Sequence, residues 1–362
     1  MIPRIDAAPL FAGPAPQRDA ADAAILAAAR ECGFMTMTGL PPDCPIDAAR
    51  RREMLRIFAL PAAQLEPLWR QKFAPGHGNI YRGWFPLQDG AETYKEGIDL
   101  GPDIAHGADR VAAGDPLREP TPLPPEALLP GWRAAAAAYF RAMERVGATL
   151  MHAIARGLGL REDIFDAAFA GGISTLRLIR YPPRTPESMA GLAEDQLWVE
   201  QGGRRRFMLG KAHVDSGLVT LLAQDGVAGL QARGADGAWI DVPPEEGTLA
   251  VNFGKLLERW TGGRIKATEH RVIGEAEGGT NRARHSIPFF YEPRADARIA
   301  PLPLPPTFPG IEAFAPFEYG DHLWSAMTRF VEFRGLEGLR RPQAPAPVGM
   351  QPGMKPSFTR QA

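Results

Sequence analysis

The stretch Phe207-Met208-Leu209-Gly210-Lys211-Ala212-His213-Val214-Asp215-Ser216-Gly217-Leu218-Val219-Thr220-Leu221-Leu222-Ala223-Gln224 reads as two β runs, Phe207 to Val214 and Leu218 to Gln224, with no helix between them. In an extended strand, residues i and i+2 point to one face, so His213 and Asp215 present an imidazole and a carboxylate side by side. One metal ion can take both from a single strand, provided a third ligand arrives from elsewhere. His270, in Ala267-Thr268-Glu269-His270-Arg271-Val272, is the best candidate. Two histidines and one carboxylate on one side of a metal, with the other positions open, suit non-haem iron(II) oxygen chemistry. Taken alone, a His-x-Asp is weak evidence, since chance supplies many and a polar strand edge in water offers the same pair, so the surrounding sequence has to decide.

Outward from this stretch the β pattern continues on both sides. Short runs occupy Ser174 to Tyr181, Gly229 to Arg233, Trp239 to Val242, Thr248 to Phe253, Thr268 to Ile273 and Arg284 to Tyr291. Strands at this density without intervening helices imply a sandwich or barrel. The expected fold is mainly β with α decoration (α+β): a double-stranded β-helix, or jelly roll, over 171–295. Before it, residues 1–125 form an N-terminal α/β region with strands at Ile2 to Ile5 and Gly33 to Gly39. Helices are expected there at Ala20 to Cys32 and Ile46 to Phe58. Phe73 to Leu100 reads as loop and short strand, and Gly101 to Pro130 as an irregular connection rich in Pro, Gly and Asp. In 126–170, Tyr139, Met143, Val146, Leu150, Ile154 and Leu158 recur at helical spacing and predict one long supporting helix, Gly131 to Leu158. Residues 296–340 form a C-terminal extension with a helix over Phe317 to Arg334, and 341–362 a loose tail.

Composition narrows the function. A hydrophobic share of 45% and a charged share of 23% are ordinary for globular chains, so disorder and fibrous structure are excluded as overall classes. The net charge of −1 argues against a dedicated nucleic-acid surface. Cys32 and Cys44 are the only cysteines, too few for a disulfide framework or a cysteine-rich zinc site. The start Met1-Ile2-Pro3-Arg4-Ile5-Asp6 has no signal layout, and apolar runs fall far short of the ~20 residues of a membrane helix. A cytoplasmic chain with no membrane partner is expected; composition is silent on oligomeric state.

The motifs taken together resemble the iron(II) and 2-oxoglutarate dependent oxygenases of the isopenicillin N synthase-like family. The resemblance runs from Ile2-Pro3-Arg4-Ile5-Asp6 through Cys32-Gly33-Phe34, Tyr94-Lys95-Glu96, Leu176-Arg177-Leu178-Ile179-Arg180-Tyr181-Pro182-Pro183 and His213-Val214-Asp215. It continues through Gly229-Leu230-Gln231, Asn252-Phe253-Gly254 and Glu269-His270-Arg271-Val272 to Arg284-His285-Ser286-Ile287-Pro288-Phe289-Phe290. It implies that His213, Asp215 and His270 hold iron(II), the separation of 55 positions from Asp215 to His270 being similar to the family's usual interval. It also implies that Arg284, Ser286 and Tyr181 grip the distal carboxylate of the co-substrate 2-oxoglutarate. An Arg fork and a hydroxyl on one strand face are chemically apt for that. The implied reaction couples dioxygen to the decarboxylation of 2-oxoglutarate, giving succinate and CO2, and oxidises, by default hydroxylates, a C–H bond of a small organic molecule from specialised metabolism.

His77, His106, His152, His285 and His322 are expected in surface or capping roles, with His285 facing away from Arg284 and Ser286. Two departures stand out. Ile179-Arg180-Tyr181-Pro182 replaces the common Asn-Tyr-Tyr-Pro, and an insert spans Glu187 to Gly210. The insert reads either as a charged hairpin turning at Gln201-Gly202-Gly203-Arg204 or as a lid that selects substrate. Arg82, Tyr81, Trp198 and Arg205 are the substrate candidates, and Gln351 and Phe358 of the tail could fold over the mouth. Competing functions are an iron oxidase or cyclase that needs no 2-oxoglutarate, and a non-catalytic jelly-roll metal-binding protein.

Overall fold

The computed structural model describes residues 1–275, 282–305, 311, 313–330 and 333–340. Its centre is two sheets. The strands are β1 (Arg4–Asp6), β2 (Phe34–Thr38), β3 (Gly83–Phe85), β4 (Glu96–Leu100), β5 (Thr175–Tyr181), β6 (Trp198–Gln201), β7 (Arg204–His213), β8 (Val219–Gln224), β9 (Leu230–Arg233), β10 (Trp239–Asp241), β11 (Leu249–Phe253), β12 (His270–Glu275) and β13 (Arg284–Tyr291). The larger sheet runs β1-β2-β11-β8-β13-β5-β4-β3 and the smaller β10-β9-β12-β7-β6. One buried cluster joins Ile179, Tyr181 and Ala250 of the larger sheet to Leu209, Leu230 and Val272 of the smaller. The sheets therefore face each other across an apolar interior, which is the expected jelly roll.

Alternation along each strand decides what lies inside. On β5, Leu176 and Leu178 join the core on the outer face of the larger sheet, whereas Ile179 and Tyr181 point between the sheets. The main helices are α1 (Pro16–Glu31), α2 (Ala48–Leu55), α3 (Trp132–Gly157), α4 (Lys255–Trp260) and α5 (Tyr319–Met327). Helix α3 is the predicted supporting helix, and it covers the outer face. Phe140 meets Phe289 edge-on with ring centres 4.9 Å apart. A Cβ at Gly147 would come within 2.6 Å of the Tyr291 ring, so only glycine lets helix and sheet approach this closely here.

Several elements differ from expectation for local reasons. The helix expected over Ile46 to Phe58 begins at Ala48, because Asp47 caps it by accepting from the amides of Ala49 and Arg50. It tightens into a 3-10 turn at Arg56–Ala59. The segment read as loop and short strand, Phe73 to Leu100, supplies β3 and β4, which widen the larger sheet. Helix α4 was not expected, and α5 stops at Met327 rather than Arg334. The insert contains the expected hairpin: β6 pairs with β7, and Gly202 and Gly203 turn it with φ of 57° and 70°. Two positive φ values in a two-residue turn match the right-handed twist of the flanking strands. Gln351 and Phe358 lie outside the described residues, as does the tail they belong to.

Candidate active site

β7 ends at His213 and β12 begins at His270, and the ladder sets these two residues opposite each other. Asp215 follows on the loop leading into β8. The His213 Nε2 lies 3.7 Å and the His270 Nε2 3.8 Å from Asp215 Oδ1. Each imidazole turns its Nδ1 to the carbonyl two residues earlier, Lys211 at 2.7 Å for His213 and Thr268 at 3.3 Å for His270. An Nδ1–H donated to a carbonyl leaves the Nε2 lone pair for a metal. Asp215 is divided in the same way. Its Oδ2 accepts from Thr220 Oγ1 at 2.6 Å and Asn252 Nδ2 at 2.7 Å, leaving Oδ1 to the centre. Among the described residues this is the one group of His, Cys, Asp or Glu side chains gathered for a metal, with ligand atoms within 4.8 Å of one another.

Backbone geometry holds the carboxylate loop. The amides of Lys255 and Leu256 at the start of α4 donate to the carbonyls of Asp215 and Gly217 at 2.8 and 3.2 Å. A Cβ on Gly254 would lie 2.9 Å from the Asp215 carbonyl, so glycine is required for that approach. Electrostatics favour the ligating protonation states. Burial pushes the Asp215 carboxyl up, but the two imidazoles and the bonds from Thr220 and Asn252 outweigh it and hold it below the usual range. Burial, followed by the neighbouring His270, lowers His213, which keeps it neutral. The His213 side chain is nevertheless 48% exposed against 10% for His270, so the centre is open on the His213 side.

Deeper between the sheets, Arg284 stands opposite Tyr181 in the β13–β5 ladder, and Ser286 stands opposite Gln224 on β8. Arg284 is buried. Its Nη2 donates to Gln224 Oε1 at 3.2 Å, and its guanidinium sits 5.5 Å from the centre of the Tyr181 ring. Among the described residues its Nε and Nη1 have no hydrogen-bond partner. Two buried, unpaired guanidinium donors are costly in a folded protein unless a ligand fills them, and a carboxylate fits their fork. The residues present therefore suit a carboxylate-bearing co-substrate at one end and a metal at the other. Ile179, at the position of the missing asparagine, joins the apolar interior, while Arg180 turns outward to Glu96 at 2.6 Å.

The substrate candidates fare differently. Arg82 is corrected: it is fully buried, its Nη1 donates to Thr175 Oγ1 at 2.6 Å and its Nη2 to the Ile173 carbonyl at 2.9 Å, so it ties the chain before β3 to β5. Tyr81 is also buried, its ring 6.5 Å from Trp324 and 5.9 Å from Phe333. Trp198 stacks on Phe207 at 4.2 Å, and Arg205 covers the Trp198 ring while pairing with Glu194. None of the four is gathered to the triad. Four of the other histidines have partners away from it: His77 with the Trp69 carbonyl, His106 with Glu144, His152 with Asp166 and His285 with Asp225, whereas His322, its ring 5.3 Å from that of Phe317, bonds the backbone of Ser216 next to Asp215.

Sequence reading gave no role to Thr220, Asn252 and Gln224, although alternation along β8 and β11 points all three inward. It also passed over Arg177. This side chain shares the inner face of β5 with Ile179 and Tyr181, is held by Asp99 at 2.5 and 2.7 Å, and lies over the rings of Phe85 and Phe290. Asp99 also pairs with Arg70.

Residues 174–293 match the family model described as the 2OG-Fe(II) oxygenase superfamily. The 2-oxoglutarate-Fe(II) type oxidoreductase hxnY of Emericella nidulans is 30% identical over 285 residues, covering 75% of this chain and 73% of that protein. The chain belongs to the 2OG-Fe(II) oxygenase superfamily. This oxygenase is also 28% identical to isopenicillin N synthase of Streptomyces clavuligerus over 305 residues, 83% of this chain and 87% of that one. The crystal structure of a full-length Neurospora crassa protein in complex with alpha-KG and 5-formyluracil superposes with a TM-score of 0.73 at 26% identity, over 91% of this chain and 96% of that one. The oxygenase is a 2-oxoglutarate-dependent dioxygenase that uses iron(II), 2-oxoglutarate and dioxygen.

Proposed function

We propose that His213, Asp215 and His270 hold the iron and that Arg284, with Ser286 and Tyr181, grips the far carboxylate of 2-oxoglutarate, so that the enzyme hydroxylates a C–H bond of a small organic molecule. The observation that carries this reading is the division of labour in the triad. Every polar atom that does not face the shared centre has a protein partner, and the three that do face it have only one another. Iron(II) and 2-oxoglutarate supply the oxidising chemistry, coupling decarboxylation to the reduction of dioxygen. The chain's own work is positional. Thr220 and Asn252 fix which Asp215 oxygen points inward, Gln224 orients Arg284, and the apolar walls of Ile179, Leu222 and Val272 exclude water. This chemistry requires no side-chain acid or base.

For the substrate, we take Arg177 between Phe85 and Phe290 as the contact that meets its polar end. The Neurospora crassa protein, which is similar in fold, is described with 5-formyluracil bound, and this supports a small-molecule substrate here. A place in specialised metabolism rests on likeness to isopenicillin N synthase. A cytoplasmic setting rests on Cys32 and Cys44 being unpaired. Among the described residues no helix is long and apolar enough to cross a membrane.

The test is anaerobic addition of iron(II) and then 2-oxoglutarate. A visible charge-transfer band is expected in the wild type and should be absent in His213→Ala. Substrate oxidation that proceeds without added 2-oxoglutarate would instead favour the oxidase alternative.

A further inference from the structure

The loop that carries Asp215 is gripped from two sides. At the start of α4 the amides of Gly254, Lys255 and Leu256 donate to the carbonyls of Leu218, Asp215 and Gly217 at 2.8, 2.8 and 3.2 Å. The Ser216 carbonyl is not among them. On that side stands α5, whose His322 ring bonds the Ser216 backbone. Burial lowers the His322 pKa and this bond opposes the effect, as a bond donated to a carbonyl does. With it, each of the four consecutive carbonyls from Asp215 to Leu218 has a donor.

The floor of the loop belongs in part to the same helix. A Cβ on Gly217 would stand 3.3 Å from Glu292 Oε1 and 3.6 Å from the Tyr319 hydroxyl, and both of those side chains are buried. Tyr319 and His322 are three residues apart and so share one face of α5. They meet two successive residues, Gly217 and Ser216, directly after the carboxylate.

A support can place a loop only if it is itself fixed. The amides of Tyr319 and Gly320 donate to the carbonyls of Ala297 and Ala295 at 2.9 and 2.7 Å, and Trp324 Nε1 donates to the Leu336 carbonyl at 3.0 Å. Arg340 pairs with Asp321 at 3.1 Å and with Asp115 of the N-terminal region at 2.6 Å. Helix α5 is therefore anchored by the chain before it, the chain after it and a distant segment, without help from the loop. Thr220 and Asn252 select which Asp215 oxygen faces the imidazoles, but where the carboxylate stands is set by its backbone. A metal ligand has to be held to within about 0.5 Å of its working position.

We propose that Tyr319 and His322 are positioning residues for the metal: from α5 they hold Gly217 and Ser216 where Asp215 Oδ1 meets the two imidazoles, which makes the C-terminal extension part of the iron site. The proposal rests on the reading of Asp215 as an iron ligand.

The test is anaerobic titration of the full chain with iron(II) alone, repeated with cobalt(II), whose visible bands report ligand geometry. His322→Ala should weaken iron(II) binding about tenfold and shift the bands of bound cobalt(II). His322→Asn and His322→Gln place an amide N–H near the position of one or the other ring nitrogen, and at least one of them should restore the affinity. Tyr319→Phe, which removes only the hydroxyl under Gly217, should weaken iron(II) about threefold, below the range of a direct bond to a ligating group; it decides the matter in the same way if His322→Ala does not fold. A lowered urea midpoint with wild-type iron(II) affinity and wild-type cobalt(II) bands would show that these residues only pack α5, and would overturn the proposal. So would a loss in His322→Ala that neither amide restores. Failure of the underlying reading looks different: Asp215→Asn would then bind iron(II) as tightly as wild type, and the proposal would fall with it.

Discussion

The side-chain amide of Asn252 donates to Asp215 Oδ2 at 2.7 Å across the β11–β8 pairing, and this bond determines which oxygen the carboxylate turns to the two imidazoles. Bonds of this kind to a ligating carboxylate commonly change metal affinity by about 10–100-fold. Asn252→Ala is expected to weaken iron(II) binding on that scale in anaerobic titration, with the far-ultraviolet circular dichroism unchanged. Wild-type affinity would mean that Thr220 alone suffices.

Arg284 offers a planar fork whose Nε and Nη1 have no partner among the described residues, whereas a lysine offers a single point charge. Arg284→Lys should raise the concentration of 2-oxoglutarate needed for half-saturation by tenfold or more, about 1.4 kcal/mol or more. Iron(II) binding measured without 2-oxoglutarate should be unaltered. Equal loss of both would show that Arg284 supports the fold and not the co-substrate.

Arg82 has its Nη1 and Nη2 engaged by Thr175 and Ile173 in a site closed to solvent. Removing it leaves buried acceptors without a donor, which costs about 1–3 kcal/mol for each unsatisfied group. Arg82→Met is therefore expected to lower the urea midpoint of unfolding while leaving the KM for substrate unchanged in the protein that folds. A raised KM with unchanged stability would return Arg82 to the substrate side.

Glu292 is buried beyond the end of β13, and burial, opposed by Arg82, pushes its carboxyl up to about 7. An acid whose pKa is raised on folding favours its protonated form in the native state. The cost of ionising it is absent at pH values below its unfolded pKa, grows as pH rises, and is complete above about 7. Glu292→Gln, which cannot ionise, should thus gain stability relative to wild type between pH 5 and pH 8, by roughly 2 kcal/mol. Denaturant unfolding at the two pH values measures it, and a pH-independent difference would mean the carboxyl is not buried in solution.

Gly147 sets how closely α3 lies on the sheet. Gly147→Val should destabilise by about 1–3 kcal/mol through overpacking against Tyr291, without loss of iron binding per folded molecule.

By itself the sequence determined the parts of this protein that depend on short spacing. His213 and Asp215 share a face because side chains alternate along a strand. The stripe from Tyr139 to Leu158 makes α3, and the Gly202-Gly203 pair makes a hairpin whatever lies around it. Resemblance then made His270, already the candidate third ligand, part of an iron-binding set and supplied Arg284, Ser286 and Tyr181, which are distant in sequence. Tertiary structure alone decided which inward-facing groups meet. Asn252 and Thr220 reach Asp215, and Gln224 reaches Arg284, because β11, β8 and β13 lie side by side, and that order is a long-range choice no local period encodes. The same holds for the two arginines whose standing changed: Arg82 is enclosed because β5 runs past it, and Arg177 faces the interior between Phe85 and Phe290. A guanidinium's role depends on what surrounds it, and in this fold those surroundings come from strands up to about a hundred residues away or more.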